Sequence, residues 1–255
     1  MKIIFLHIPK TAGQSVHAKL VDACGVDNVC PARVNDHLRT LSIRQLNSYK
    51  VFSGHFDWSL LDCIEGPKYI FTVLRDPRDR ILSFYFYLRE SAKKLSPQLL
   101  EKPENQGLKG ALTLSPGDYF TSGNSSWKSF IKNHYYNFYT YYFAGRTYDA
   151  RANFEGLIKR NILNENNIID LAKTNLEIIN GVFRVEELNN AFVQISESTG
   201  ISIDQKKELI ANKNTVVMPS DRLLELERLG ADSFLIEEID EMCRLDKILL
   251  DSIFK

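Results

Sequence analysis

The stretch from Ile3 to Gly25 constrains this chain most. Ile3-Ile4-Phe5-Leu6-His7 is a short apolar run and reads as a strand buried on both faces. Pro9-Lys10-Thr11-Ala12-Gly13-Gln14-Ser15 interrupts it, after which Val16, Leu20 and Ala23 recur at helical spacing and Gly25 supplies a stop. Strand, tight loop and helix in that order call for a sheet covered by crossover helices. The alternation recurs. Lys50–Ser53, Tyr69–Leu74 and Gly181–Val185 read as further strands. Asp76 can cap a helix with Pro77 at its first position, and Ile81, Leu82, Tyr85 and Leu88 give that helix a buried stripe. Residues 168–179, 186–199 and those from Asp221 onward also carry helical patterns. The fold expected is α/β: a central, mainly parallel sheet flanked by helices.

No internal repeat or linker divides the sequence, so one domain over residues 1–255 is expected. Residues 91–130, rich in Lys, Ser, Pro, Gly and Asn at their start, read as an irregular excursion of weak structure. Trp127–Phe143 is dense in tyrosine. Lysine plus arginine balance aspartate plus glutamate at 32 each, which argues against nucleic acid as a partner by bulk electrostatics. The apolar start is too short, and lacks the basic flank, for a signal peptide. No run of about 18 apolar residues suggests a membrane span. Cys24, Cys30, Cys63 and Cys243 form no CxxC pair or zinc-type spacing. They read as thiols in a reducing, cytoplasmic setting, and no metal is expected.

Two constellations carry chemistry. In the first, Lys10 to Ser15 lie where a helix begins. A helix N-terminus presents amide donors and partial positive charge, a ready site for phosphate. Ala12 and Gly13 let the backbone close on an anion, Ser15 adds a hydroxyl and Lys10 a mobile cation. The lysine precedes the turn, so this is not the GxxxxGK[ST] nucleotide loop. The second is Arg75-Asp76-Pro77-Arg78-Asp79-Arg80 with Ser83. Arg75 leaves the carboxyl end of a strand, where open α/β sheets bind ligands. Arg75 and Ser83 suit a second phosphate, whereas Arg78, Arg80 and Arg89 read as surface pairs or helix-positioning contacts. His55 follows the second strand, where a site residue can stand, and on position alone reads equally as a hydrogen-bonded structural histidine. His7 is placed behind the loop as its support.

These segments resemble a known family. HIPKTAGQS (His7–Ser15) is similar to the 5′-phosphosulfate loop of the carbohydrate sulfotransferases, and VLRDPRDRILSFY (Val73–Tyr85) to their 3′-phosphate motif. SGHFDW (Ser53–Trp58) resembles the 6-O-sulfotransferase stretch that holds a catalytic histidine. Heparan sulfate 2-O- and 6-O-sulfotransferases and their bacterial counterparts are the relatives implied. FRVEEL (Phe183–Leu188) and the Asn212–Asn214 loop, with Lys213, match later segments loosely. The resemblance implies a nucleotide-kinase-like, P-loop-related fold and 3′-phosphoadenosine-5′-phosphosulfate (PAPS) as donor, with PAP as product. It implies His55 as general base and Lys10 on the sulfate and bridging oxygen. Thr11, Ala12, Gly13, Gln14 and Ser15 would hold the 5′-phosphate. Arg75 and Ser83 would hold the 3′-phosphate, with Lys213 also at the donor. A saccharide is the expected acceptor, in a cleft built from the His55 loop, the 91–130 excursion and the tyrosine-rich segment. A small alcohol, phenol or glycolipid stays open, as does a nucleotide kinase or a non-catalytic nucleotide-binding module. The vertebrate relatives carry a membrane anchor not seen here, so a cytoplasmic bacterial enzyme is expected. Two departures stand out. Gln14 replaces a hydroxyl residue, and Asn137–Gly145 is tyrosine-rich where the family is often polar.

Overall fold

A computed structural model describes residues 1–204 and 221–254. Among these, four strands form one all-parallel sheet: β1 (Lys2–Leu6), β2 (Val51–Gly54), β3 (Lys68–Leu74) and β4 (Gly181–Arg184), in the order β2-β1-β3-β4. All four coincide within a residue or two with the strands expected from sequence. The register sets Phe5 beside Ser53 on one side and Phe71 on the other. The chain leaves β1 for β2 on one side, then passes β1 to reach β3 on the other. The loops after β1 and β3 therefore diverge at the carboxyl ends of the two central strands, the switch point at which α/β sheets bind ligands.

The described residues divide into two compact units. The first comprises Met1–Arg75 and the stretch from Tyr141 to residue 204. Ile3, Phe5, Tyr69, Phe71 and Val73 pack one sheet face against Val16 and Leu20 of helix Gly13–Cys24 and Phe192 and Ile195 of helix Leu188–Thr199. Ile4 and Leu6, on the other face, are equally buried. Burial on both faces is why these strands read as continuous apolar runs instead of alternating ones.

The second unit comprises Asp76–Thr140 and the stretch from residue 221. Asp76 caps helix Pro77–Ala92 by accepting the Asp79 amide at 2.8 Å, with Pro77 at the helix start. The weak structure expected over 91–130 is not found. Helices Pro97–Leu100, Gln106–Thr113, Pro116–Thr121 and Ser125–Tyr135 fill it. The Ser, Pro and Asn residues that suggested loops are N-caps and first-turn prolines: Ser96-Pro97, Ser115-Pro116 and Asn124. Gly107 and Gly110 admit the Phe130 and Trp127 rings, which a β-carbon at either position would meet.

Of the two readings of Arg80, a surface pair or a helix-positioning contact, the second holds, and from the interior: the residue is 1% exposed. Its guanidinium donates to the His134 carbonyl at 3.0 Å and lies 4.9 Å from the Phe138 ring centre. Asp246, fully buried, accepts from the Tyr139 and Thr140 amides and the Thr140 hydroxyl. Burial pushes its carboxyl up to about 6, and the Thr140 amide and the Arg80 charge oppose that rise. A buried arginine is retained when its charge and donors are matched, and its loss strands the groups it served. Arg80→Ala is expected to cost about 3 kcal/mol or more of stability in urea denaturation. A loss below about 1 kcal/mol, the level of an exposed ion pair, would show that Arg80 is not buried in this way.

Candidate active site

The loop after β1 is built around two non-glycine residues in the left-handed region, Lys10 at φ 72° and Ala12 at φ 59°. Each costs about 1–2 kcal/mol, a strain retained where backbone amides must face a ligand. The first helical bond runs from the Val16 amide to the Ala12 carbonyl at 3.2 Å, so the amides of the turn before it point out of the helix end. Thr11 is fully buried and donates its hydroxyl to the Ile8 carbonyl at 2.8 Å. It ties the loop to the strand. Gln14 is exposed and Ser15 half-buried.

Gly13 admits no side chain. An added β-carbon would land inside the His7 ring. That ring, 6% exposed, stacks on His55 with centroids 4.1 Å apart. His7 therefore lies behind the loop and joins it to His55, which stands one residue past β2. The His7 amide donates to the Gly54 carbonyl, and the His55 amide donates to the Arg33 carbonyl at 2.8 Å.

The proton on His55 can be located. Its Nδ1 lies 2.8 Å from the main-chain oxygen of His7. A carbonyl oxygen only accepts, so Nδ1 carries the hydrogen, and in the neutral ring Nε2 keeps the lone pair. The same oxygen accepts from the Tyr148 hydroxyl at 2.7 Å, and Tyr148 Oη is 3.3 Å from His55 Nδ1. Burial lowers the pKa of His55 from its ordinary 6.5; the bond to His7 opposes this and the Arg33 charge adds to it. His7 is held well below 6.5, first by burial and then by the charge of a protonated His55. Burial and Arg33 bring His17 down to about 4. Both rings of the stack are therefore neutral at pH 7.

Asp57, two residues past His55, and Glu186, just past β4, do not orient the His55 ring. Asp57 accepts the Tyr148 amide at 2.8 Å and lies 3.6 Å from Arg39, while Glu186 is exposed. Tyr148 and Arg33 carry no motif and were not singled out from sequence. Arg75 follows β3 and is half-buried. Ser83, 3% exposed on helix Pro77–Ala92, belongs to the second unit. Lys213 and the Asn212–Asn214 loop lie outside the described residues. The tyrosine-rich segment is core: Tyr139, Tyr141 and Tyr142 are at most 6% exposed, and the Tyr142 hydroxyl donates to the Phe56 carbonyl. All four cysteines are free. Among the described residues no His, Cys, Asp and Glu cluster suits a metal, and no helix is long and apolar enough to cross a membrane.

A strained loop thus stands at the switch point, backed by a histidine whose Nε2 carries the lone pair of the neutral ring. No curated protein matches the chain. A family model described as the sulfotransferase family matches residues 1–161, a span that holds the loop, His55, Arg75, Ser83 and Tyr148. With more than half its length matched, the chain belongs to the sulfotransferase family.

Proposed function

We propose that this protein transfers a sulfuryl group from PAPS to a hydroxyl of a saccharide acceptor, with His55 as general base. The observation that carries the reading is the Nδ1–H bond from His55 to the His7 carbonyl. It leaves Nε2 ready to take the hydroxyl proton as the oxygen attacks. PAPS would supply the sulfuryl group on a leaving phosphate. The residues present fit such an anion: two left-handed residues turn the loop, and Gly13 lets the His7 ring pack directly behind it. The amides of Thr11 to Ser15 would bind the 5′-phosphate, the Ser15 hydroxyl assisting. Thr11 contributes through its amide, since its hydroxyl is engaged with Ile8. Lys10 would neutralise charge developing on the bridging oxygen, the kind of fixed electrostatic help such transfers need. Arg75, at the end of β3, would hold the 3′-phosphate. Four free thiols suit a reducing, cytoplasmic setting.

Calorimetric titration with PAP, AMP and ATP on the metal-free protein tests the donor. PAP is expected to bind at least tenfold more tightly than AMP, since a bidentate arginine–phosphate contact contributes about 1.5–3 kcal/mol. Equal affinities, or tighter ATP binding, would overturn PAPS as donor and promote a kinase.

A further inference from the structure

We infer that Tyr148 is a positioning residue for the transfer reaction, its phenol oxygen and the His7 carbonyl together forming an uncharged cradle for the Nδ1–H of His55. The inference rests on His55 being the base.

Bases of this kind are commonly oriented by a carboxylate on the far nitrogen. Here the nearest carboxylate in sequence, Asp57, is turned elsewhere, to the Tyr148 amide and toward Arg39. Its place is taken by a triangle of three atoms. Tyr148 Oη donates to the His7 oxygen at 2.7 Å, His55 Nδ1–H donates to that oxygen at 2.8 Å, and Nδ1 and Oη stand 3.3 Å apart. With the phenol hydrogen committed to His7, the lone pairs of Oη face Nδ1–H. The rings meet edge to face at 90°. Tyr148 is itself fixed at both ends: Asp57 Oδ1 holds its amide, and its ring packs on Tyr142 at 4.9 Å. The Asp57 amide is held in turn by Asn35 Oδ1 at 2.7 Å.

The cradle matters most once His55 has accepted the hydroxyl proton on Nε2. The ring is then a cation, and bonds from its Nδ1–H to two oxygens strengthen, because hydrogen bonds from charged donors are the stronger class. Among the described residues, the other groups that act on the ring, His7 and Arg33, do not supply that stabilisation. His7 is neutral and Arg33 is a cation that disfavours a second positive charge.

The test compares Tyr148→Phe with His55→Ala in the full chain, measuring kcat against pH, KM for PAPS, and the His55 tautomer by NMR of protein carrying ¹⁵N-labelled histidine. In the unaltered protein the neutral ring is expected as the Nδ1–H form. In Tyr148→Phe, kcat is expected to fall about tenfold, as for loss of one hydrogen bond to a charged group. The acidic limb should also move to lower pH while KM for PAPS stays within twofold. If His55→Ala is inactive but Tyr148→Phe leaves kcat and the limb unchanged, the positioning role is overturned and the base stands. A fall in kcat with a stationary limb and a raised KM would also overturn it, by showing only a loosened loop. If His55→Ala retains full activity, the base and the positioning role fall together.

Discussion

His55→Ala is expected to lower kcat by about 10²–10⁴-fold, the usual contribution of a placed general base, while affinity for PAP stays near that of the unaltered protein. The acceptor hydroxyl must lose its proton as it attacks, and water is a poor substitute for a ring already aimed. The pH profile adds a second signature. Burial lowers the pKa of His55 below 6.5, so the base form persists below that pH. The acidic limb of kcat/KM, which reports the free enzyme, is therefore expected below pH 6.5, and the alanine variant is expected to lose it. The same sign governs stability. His7, His17 and His55 are all lowered, so between their folded values and 6.5 the unfolded chain binds more protons than the folded one. Stability is lost as pH falls through that window. A normal rate in His55→Ala, or loss of PAP binding alone, would remove His55 from the chemistry.

Gly13→Ala is expected to impair the rate and donor binding together. The added methyl group would occupy the space of the His7 ring. The ring cannot yield alone, because it stacks on His55 and on Phe5, at 4.1 and 5.4 Å. Either the loop lifts or the stack shifts. A displacement of about 1 Å in a reacting group can cost roughly 10²-fold in rate, and the loop amides lose their aim on phosphate. The expected outcome is a fall in kcat of that order together with at least tenfold weaker PAP binding by calorimetry. This separates it from His55→Ala, where only the rate falls. If Gly13→Ala keeps both within twofold, the His7 ring does not lie against the loop.

Much of the architecture was legible because parallel strands buried on both faces leave unbroken apolar runs, as Ile3–Leu6 and Tyr69–Leu74 do. The Asp76-Pro77 start of the next helix was legible because capping chemistry is local. Residues 91–130 misled because the residues that end helices also begin them, and four short helices, three of them capped by side chains, have the composition of a loop. Arg80 stayed between two readings for a different reason: nothing within a few residues of an arginine reveals a carboxylate 166 positions away, such as Asp246. The site divides along the same line. The loop and His55 stood out through spacing and through resemblance to known sulfotransferases. Tyr148, 93 residues from His55, had no local pattern to mark it. The His7 carbonyl had none either, since every residue carries that group.

The last point bears on how such a site can change. The oxygen that sets the tautomer of His55 belongs to the main chain at His7. No codon change deletes it. A scan that truncates side chains one by one would pass over it, and a search for histidine–carboxylate pairs would miss the site altogether. Drift at position 7 can alter the ring that stacks on His55 yet leave the acceptor in place, provided β1 keeps its register with β2. In this chain the setting of the His55 ring is guarded by the pairing of two strands, and mutations that slip that pairing are expected to read as catalytic lesions far from any reacting atom.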